Sequence, residues 1–64
     1  MEKLKLGEWL ECNVYLNRAS NGEHWWSIED IKTGEVCQRF DTKEEWIHWK
    51  NLSEFVSDYS SFGI

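Results

Sequence analysis

The chain has 64 residues, so a single domain spanning 1–64 is expected. Its 12 acidic and 7 basic side chains leave a formal net charge of −5, which disfavours non-specific phosphate binding because that needs a basic footprint. The opening MEKLKLGE is half charged, so neither a secretory leader nor a membrane span is expected there, and free thiols at Cys12 and Cys37 in a cytoplasmic setting are.

Along the chain, Gly7-Glu8, Gly22-Glu23 and Gly34-Glu35 each open an apolar-rich run. That is the pattern of strands entered from turns. Leu10, Cys12, Val14 and Leu16 alternate with Glu11, Asn13, Tyr15 and Asn17, a period of two that predicts a half-buried first strand. Asn21-Gly22 predicts a hairpin turn. A second strand follows from His24 to about Asp30. Asp30 to Glu35 predicts a turn with Gly34 left-handed, and Val36 to Phe40 a third strand.

The period then changes. Asp41 with Glu44 three residues on predicts a helix start. Trp46, Trp49, Leu52, Val56 and Tyr59 recur at helical spacing and predict one apolar face. A second cap-like spacing at Asn51-Leu52-Ser53-Glu54 marks a candidate kink near residue 51. Ser60 to Ile64 predict a frayed end. The expected fold class is α+β: a three-stranded antiparallel β-meander followed by one C-terminal α-helix packed on one sheet face. The opposite face of such a sheet stays open.

Alternation assigns the faces. Leu10, Cys12, Val14, Leu16, Trp26, Ile28, Val36 and Phe40 are expected under the helix, with Gln38 among them. Trp9, Tyr15 and Trp25 are expected on the open face, with Glu11, Glu29 and Arg39 around them. Cys37 is also expected there, opposite Cys12, which counts against a bridge. A 64-residue chain needs large core side chains, and five Trp, three Phe and two Tyr supply them. So small a core does not hold every ring, and rings among polar neighbours on an open sheet suit recognition.

Catalytic machinery is not expected. His24 and His48 belong to no nucleophile motif. Cys12, His24, Cys37 and His48 lack the close ligand pairs of a zinc site. Asp41, Glu44 and Glu45 are explained by helix capping and the helix dipole. No glycine-rich phosphate loop is present, and no cofactor is implied. Residues 22–50, with Thr33-Gly34 and Phe40-Asp41-Thr42-Lys43-Glu44-Glu45, resemble the small arm-type DNA-binding domains of phage integrases. That resemblance implies a sheet that presents basic residues to DNA. The expected open face offers Arg39, with Glu11 and Glu29 beside it. The expected function is therefore a non-enzymatic protein-binding module or regulator, whose partner is a protein with a basic surface or a second copy. Nucleic-acid binding is the alternative.

Overall fold

The computed structural model describes residues 1–56; Tyr59 and the expected frayed end lie outside them. Four strands precede one helix: β1 (Glu2–Trp9), β2 (Cys12–Arg18), β3 (His24–Asp30), β4 (Val36–Phe40) and α1 (Lys43–Ser53). The strands form one antiparallel sheet in the order β1-β2-β3-β4. The fold is α+β, with one strand more than the three expected.

The added strand is the charged N-terminus. Lys3, Leu4, Lys5 and Leu6 alternate, and Leu4 pairs with Leu16 and Lys5 with Tyr15. The register then shifts between Lys5 and Gly7, so Leu6 and Gly7 together oppose Val14, a β-bulge. Leu6 fills the core at this bulge.

β1 returns into β2 through Leu10 and Glu11 alone, because Trp9 pairs with Cys12. Leu10 is therefore a turn residue and not the start of the first buried face. Its φ is 56°, in the left-handed region where a Cβ is disfavoured, and its side chain is 77% exposed. The other two turns follow expectation. Gly22 has φ 92° and Gly34 φ 76°. Gly22 N–H donates to Ala19 O at 3.0 Å. Asp30 Oδ1 accepts from Lys32 N–H and Thr33 N–H at 2.8 and 3.0 Å.

Val36 departs from expectation. A register shift after Ile28 leaves Val36 opposite Glu29, and Val36 is exposed rather than inside. The extra residue at the shift, Cys37, breaks the alternation that predicted a buried Val36.

The helix begins one residue later than the Asp41–Glu44 spacing predicts. Thr42 is the N-cap: its Oγ1 accepts from Glu45 N–H at 3.2 Å and donates to Glu45 Oε1 at 3.0 Å. The capping pair is thus Thr42 with Glu45, whose carboxylate accepts from the Thr42 hydroxyl. α1 runs unbroken past residue 51 and stops at Ser53. Glu54 is left-handed, with φ 59°. Phe55 N–H donates to Lys50 O at 3.2 Å, the six-to-one bond of a Schellman motif. That reversal turns Phe55 into the core, while Leu52 and Val56, expected on the apolar face, are exposed.

The buried core is Leu6, Val14, Trp26, Ile28, Trp46, Trp49 and Phe55. Trp46 stacks on Trp26 with centroids 5.8 Å apart and planes 4° apart. It lies 5.5 Å from Trp49 and 5.9 Å from Phe55. Such offset and edge arrangements add about 0.5–1.5 kcal/mol per pair beyond area burial. Trp46→Ala is expected to cost about 3–5 kcal/mol, measured as a lower urea midpoint; a loss under about 1 kcal/mol would show that the ring is not the core's centre. Leu10→Gly is expected to do the reverse. It should raise stability by about 1 kcal/mol, because glycine takes the left-handed turn without strain and little buried area is lost. A fall in the urea midpoint would contradict this.

Candidate binding face

The face of the sheet away from the core is laid out in three rows by the strand register. Lys3, Asn17 and Trp25 form one row; Lys5, Tyr15, Ser27 and Arg39 the next; Glu8, Asn13 and Glu29 the third. Directly opposed residues share a face, as do residues two apart on one strand.

Four of the six residues expected in the site come together here: Tyr15, Trp25, Glu29 and Arg39. Trp9 does not. Its partner in the ladder is Cys12, which packs on the core, and its ring meets Trp49 edge-on at 5.1 Å. The expectation for Trp9 assumed that it continued the strand of Tyr15. The turn at Leu10 and Glu11 separates them, and the bulge at Leu6 resets the alternation. Glu11 is exposed in that turn rather than on the face.

The strand that was not expected supplies two further members, Lys3 and Lys5. The Lys3 ammonium lies over the Tyr15 ring, 4.4 Å from its centroid, and reaches Glu29 Oε2 at 2.7 Å. Arg39 does the same for the second ring: its guanidinium sits 4.7 Å from the Trp25 centroid. Its Nε donates to Asp41 Oδ1 at 2.7 Å. Lys5 pairs with Glu8 at 3.0 Å. Cation–ring contacts at exposed sites are worth about 0.5–1 kcal/mol, and exposed ion pairs about the same or less.

Beneath these side chains runs a buried polar chain. Asn17 is 3% exposed and Ser27 2%. Asn17 Nδ2 donates to Ser27 Oγ at 2.9 Å, and Ser27 Oγ donates to Glu29 Oε2 at 3.0 Å. Asn13 Nδ2 donates to the Tyr15 hydroxyl at 3.2 Å. Buried polar groups need such partners. Their satisfaction fixes where Glu29, and hence Lys3, can sit. Asn17 and Ser27 follow from alternation as outward residues, but no sequence signal marks them as buried. In the register they are flanked by Lys3, Tyr15, Trp25 and Arg39 on the neighbouring strands.

At the β2–β3 end the face opens into a groove of about 630 Å³ lined by Asn21, Glu23, His24, Trp25, Arg39 and Asp41. Trp25 forms part of its wall, half-buried, with Arg39 over the ring.

Cys12 and Cys37 are free thiols. Burial pushes the Cys12 thiol above its ordinary range, and a hydrogen bond with Cys37 pushes it the same way, as do the charges of Cys37, Asp30 and Glu11. The expectation that the sheet separates the two thiols rests on unbroken alternation from Val36 to Phe40. The register shift beside Cys37 removes that alternation. Among the described residues, no group of three or more His, Cys, Asp or Glu side chains could hold a metal ion, and no helix is long and apolar enough to cross a membrane.

No family model matches the chain, and neither a curated protein nor a solved structure matches it.

The thiolate is the reactive form of cysteine. Exposed Cys37 is expected to be alkylated by iodoacetamide at pH 8 well before half-buried Cys12, whose raised pKa keeps it protonated to higher pH. Peptide mass mapping over time distinguishes them; equal rates would contradict the placement of Cys12.

Proposed function

We propose that the chain is a non-enzymatic binding module whose partner is a protein, and that it binds through the helix-free face of its sheet. The observation that carries this reading is the pair of rings, Tyr15 and Trp25, each held under a cation that is itself paired with a carboxylate. Tyr, Trp and Arg are the residues most enriched at the energetic centres of protein interfaces. Ordered beforehand, they lose less freedom on binding. Free thiols support a cytoplasmic setting.

The nucleic-acid reading gains one observation, because β1 brings Lys3 and Lys5 to the same face as Arg39. Each of the three is matched by Glu29, Glu8 or Asp41, so the face carries no net positive charge to attract a phosphate backbone. Balanced charge and flat rings favour a protein surface.

Trp25→Ala should lower the melting temperature by less than about 4–8 °C, the equivalent of roughly 1 kcal/mol in a domain this small. It should nonetheless abolish capture of proteins that the unaltered chain retains. Capture that survives the substitution would sink this reading. A gel shift with duplex and single-stranded oligonucleotides at low salt tests the alternative. Complexes that dissociate steeply with added salt would favour nucleic acid instead.

A further inference from the structure

The antiparallel register puts the β1–β2 and β3–β4 turns at one end of the sheet, and the Trp25 groove at the other. The two turns are joined: Ile31 N–H donates to Glu11 O at 3.2 Å. On these joined tips stand two large aliphatic side chains, Leu10 at 77% exposure and Ile31 at 48%. With Glu11, Asp30 and Lys32 they line a shallow hollow of about 200 Å³.

Leu10 is the informative one. Its left-handed backbone suits glycine or asparagine, and a leucine there is strained. Burial does not explain the leucine, since its side chain is in solvent. The turn uses the left-handed backbone but gains nothing from a leucine there, and a strained residue without a structural role points toward function. Ile31 stands on the neighbouring turn, tied to Glu11 by its backbone N–H. Together they present apolar surface at the joined tips.

The surroundings select the partner. Glu11, Asp30 and Glu35 lie in or beside the two turns against a single cation, Lys32. We infer that the joined hairpin tips, through Leu10 and Ile31, are a second docking site for a protein partner that offers an apolar pocket rimmed by lysine and arginine. An anionic membrane would be repelled by the same carboxylates. A second copy would bring carboxylates against carboxylates. The site is independent of the Trp25 face, because it uses other turns at the opposite end of the sheet.

The test places the photo-crosslinking residue p-benzoylphenylalanine at position 32 of the full chain, beside the hollow but at neither anchor, in the cells that make it. The expected result is an adduct with a protein whose contacting surface is basic. Adding Leu10→Gly should cut its yield roughly tenfold or more, as removal of an interface anchor does. Adding Trp25→Ala should leave it. Leu10→Gly must also keep or raise the melting temperature, which separates lost docking from lost folding. The inference is overturned by an adduct yield indifferent to Leu10→Gly, by adducts only with a second copy or with lipid, or by no adduct at all. Pelleting with phosphatidylcholine and phosphatidylserine vesicles that is lost in Leu10→Gly overturns it as well.

Discussion

An eleven-residue helix has to cover a four-stranded sheet, and indole rings make up the difference. Trp46 lies where the two layers meet, parallel to Trp26 of the sheet and against Trp49 and Phe55. An aliphatic helix of this length would leave much of the inner face wet, because each Trp covers more area than a leucine. The arrangement has a cost. The indole N–H groups of Trp26 and Trp46 are buried with no hydrogen-bond partner among the described residues, and an unmet buried donor costs about 1–3 kcal/mol. The ring contacts around them have to outweigh that. The Schellman reversal at Glu54 extends the cover by returning Phe55 to the core, which a straight continuation of the helix would not do.

That packing also decides what the open face can be. Trp26 is drawn into the core, so its neighbour Trp25 points the other way. The same alternation sets Ser27 outward beside buried Ile28, and Asn17 outward beside Leu16. Two small polar groups in the middle of an open sheet would ordinarily be solvated. Here they bond to each other and to Glu29, and Lys3, over the Tyr15 ring, pairs with the same Glu29. The face is therefore neither a bare aromatic patch nor a basic groove. It is a preassembled surface in which the charged end of a side chain lies over each ring, Lys3 over Tyr15 and Arg39 over Trp25.

Much of this was legible in the residues. Period two in 12–17, the Asn21-Gly22 and Gly34 turns, and the switch to helical spacing at Trp46 and Trp49 each have a single physical meaning, and each is present. The failures share a cause, which is that alternation is only as good as its phase. Lys3 to Leu6 alternate as clearly as 12–17, but half the stretch is charged, and charge at an N-terminus suggests solvent rather than a strand. Without β1 the two-residue turn at Leu10 has no signal, and alternation phases Trp9 with the wrong strand. Bulges at Leu6 and Cys37 then shift the phase within strands. Gly7 marks the first bulge, but a glycine there reads equally well as the entry to a strand; the second, at Cys37, carries no local marker. Leu52 and Val56 failed differently: helical spacing says nothing about where a helix stops, and the left-handed residue that stops this one is a glutamate, not a glycine.

Charge shows how the two proposed surfaces could serve one partner class. Four ion pairs among the described residues join Lys3 to Glu29, Lys5 to Glu8, Arg18 to Glu2 and Arg39 to Asp41. All lie on the sheet or at its rim. Removing those four cations and four carboxylates from the 7 and 12 of the whole chain leaves three against eight, so the full excess of −5 lies outside these pairs. Its described members are Glu11, Glu23, Asp30, Glu35, Glu44, Glu45 and Glu54, in the turns, at a strand end and along the helix. A field of that kind acts at a distance of about 10 Å at ordinary ionic strength, before any ring touches a partner. Under the proposed reading, such a field would steer a basic partner toward the molecule without placing an unpaired charge at the centre of the contact. Neutral centres with charged peripheries are how interfaces combine fast encounter with cheap desolvation. A chain that bound phosphate would invert the arrangement, with its cations unpaired at the centre.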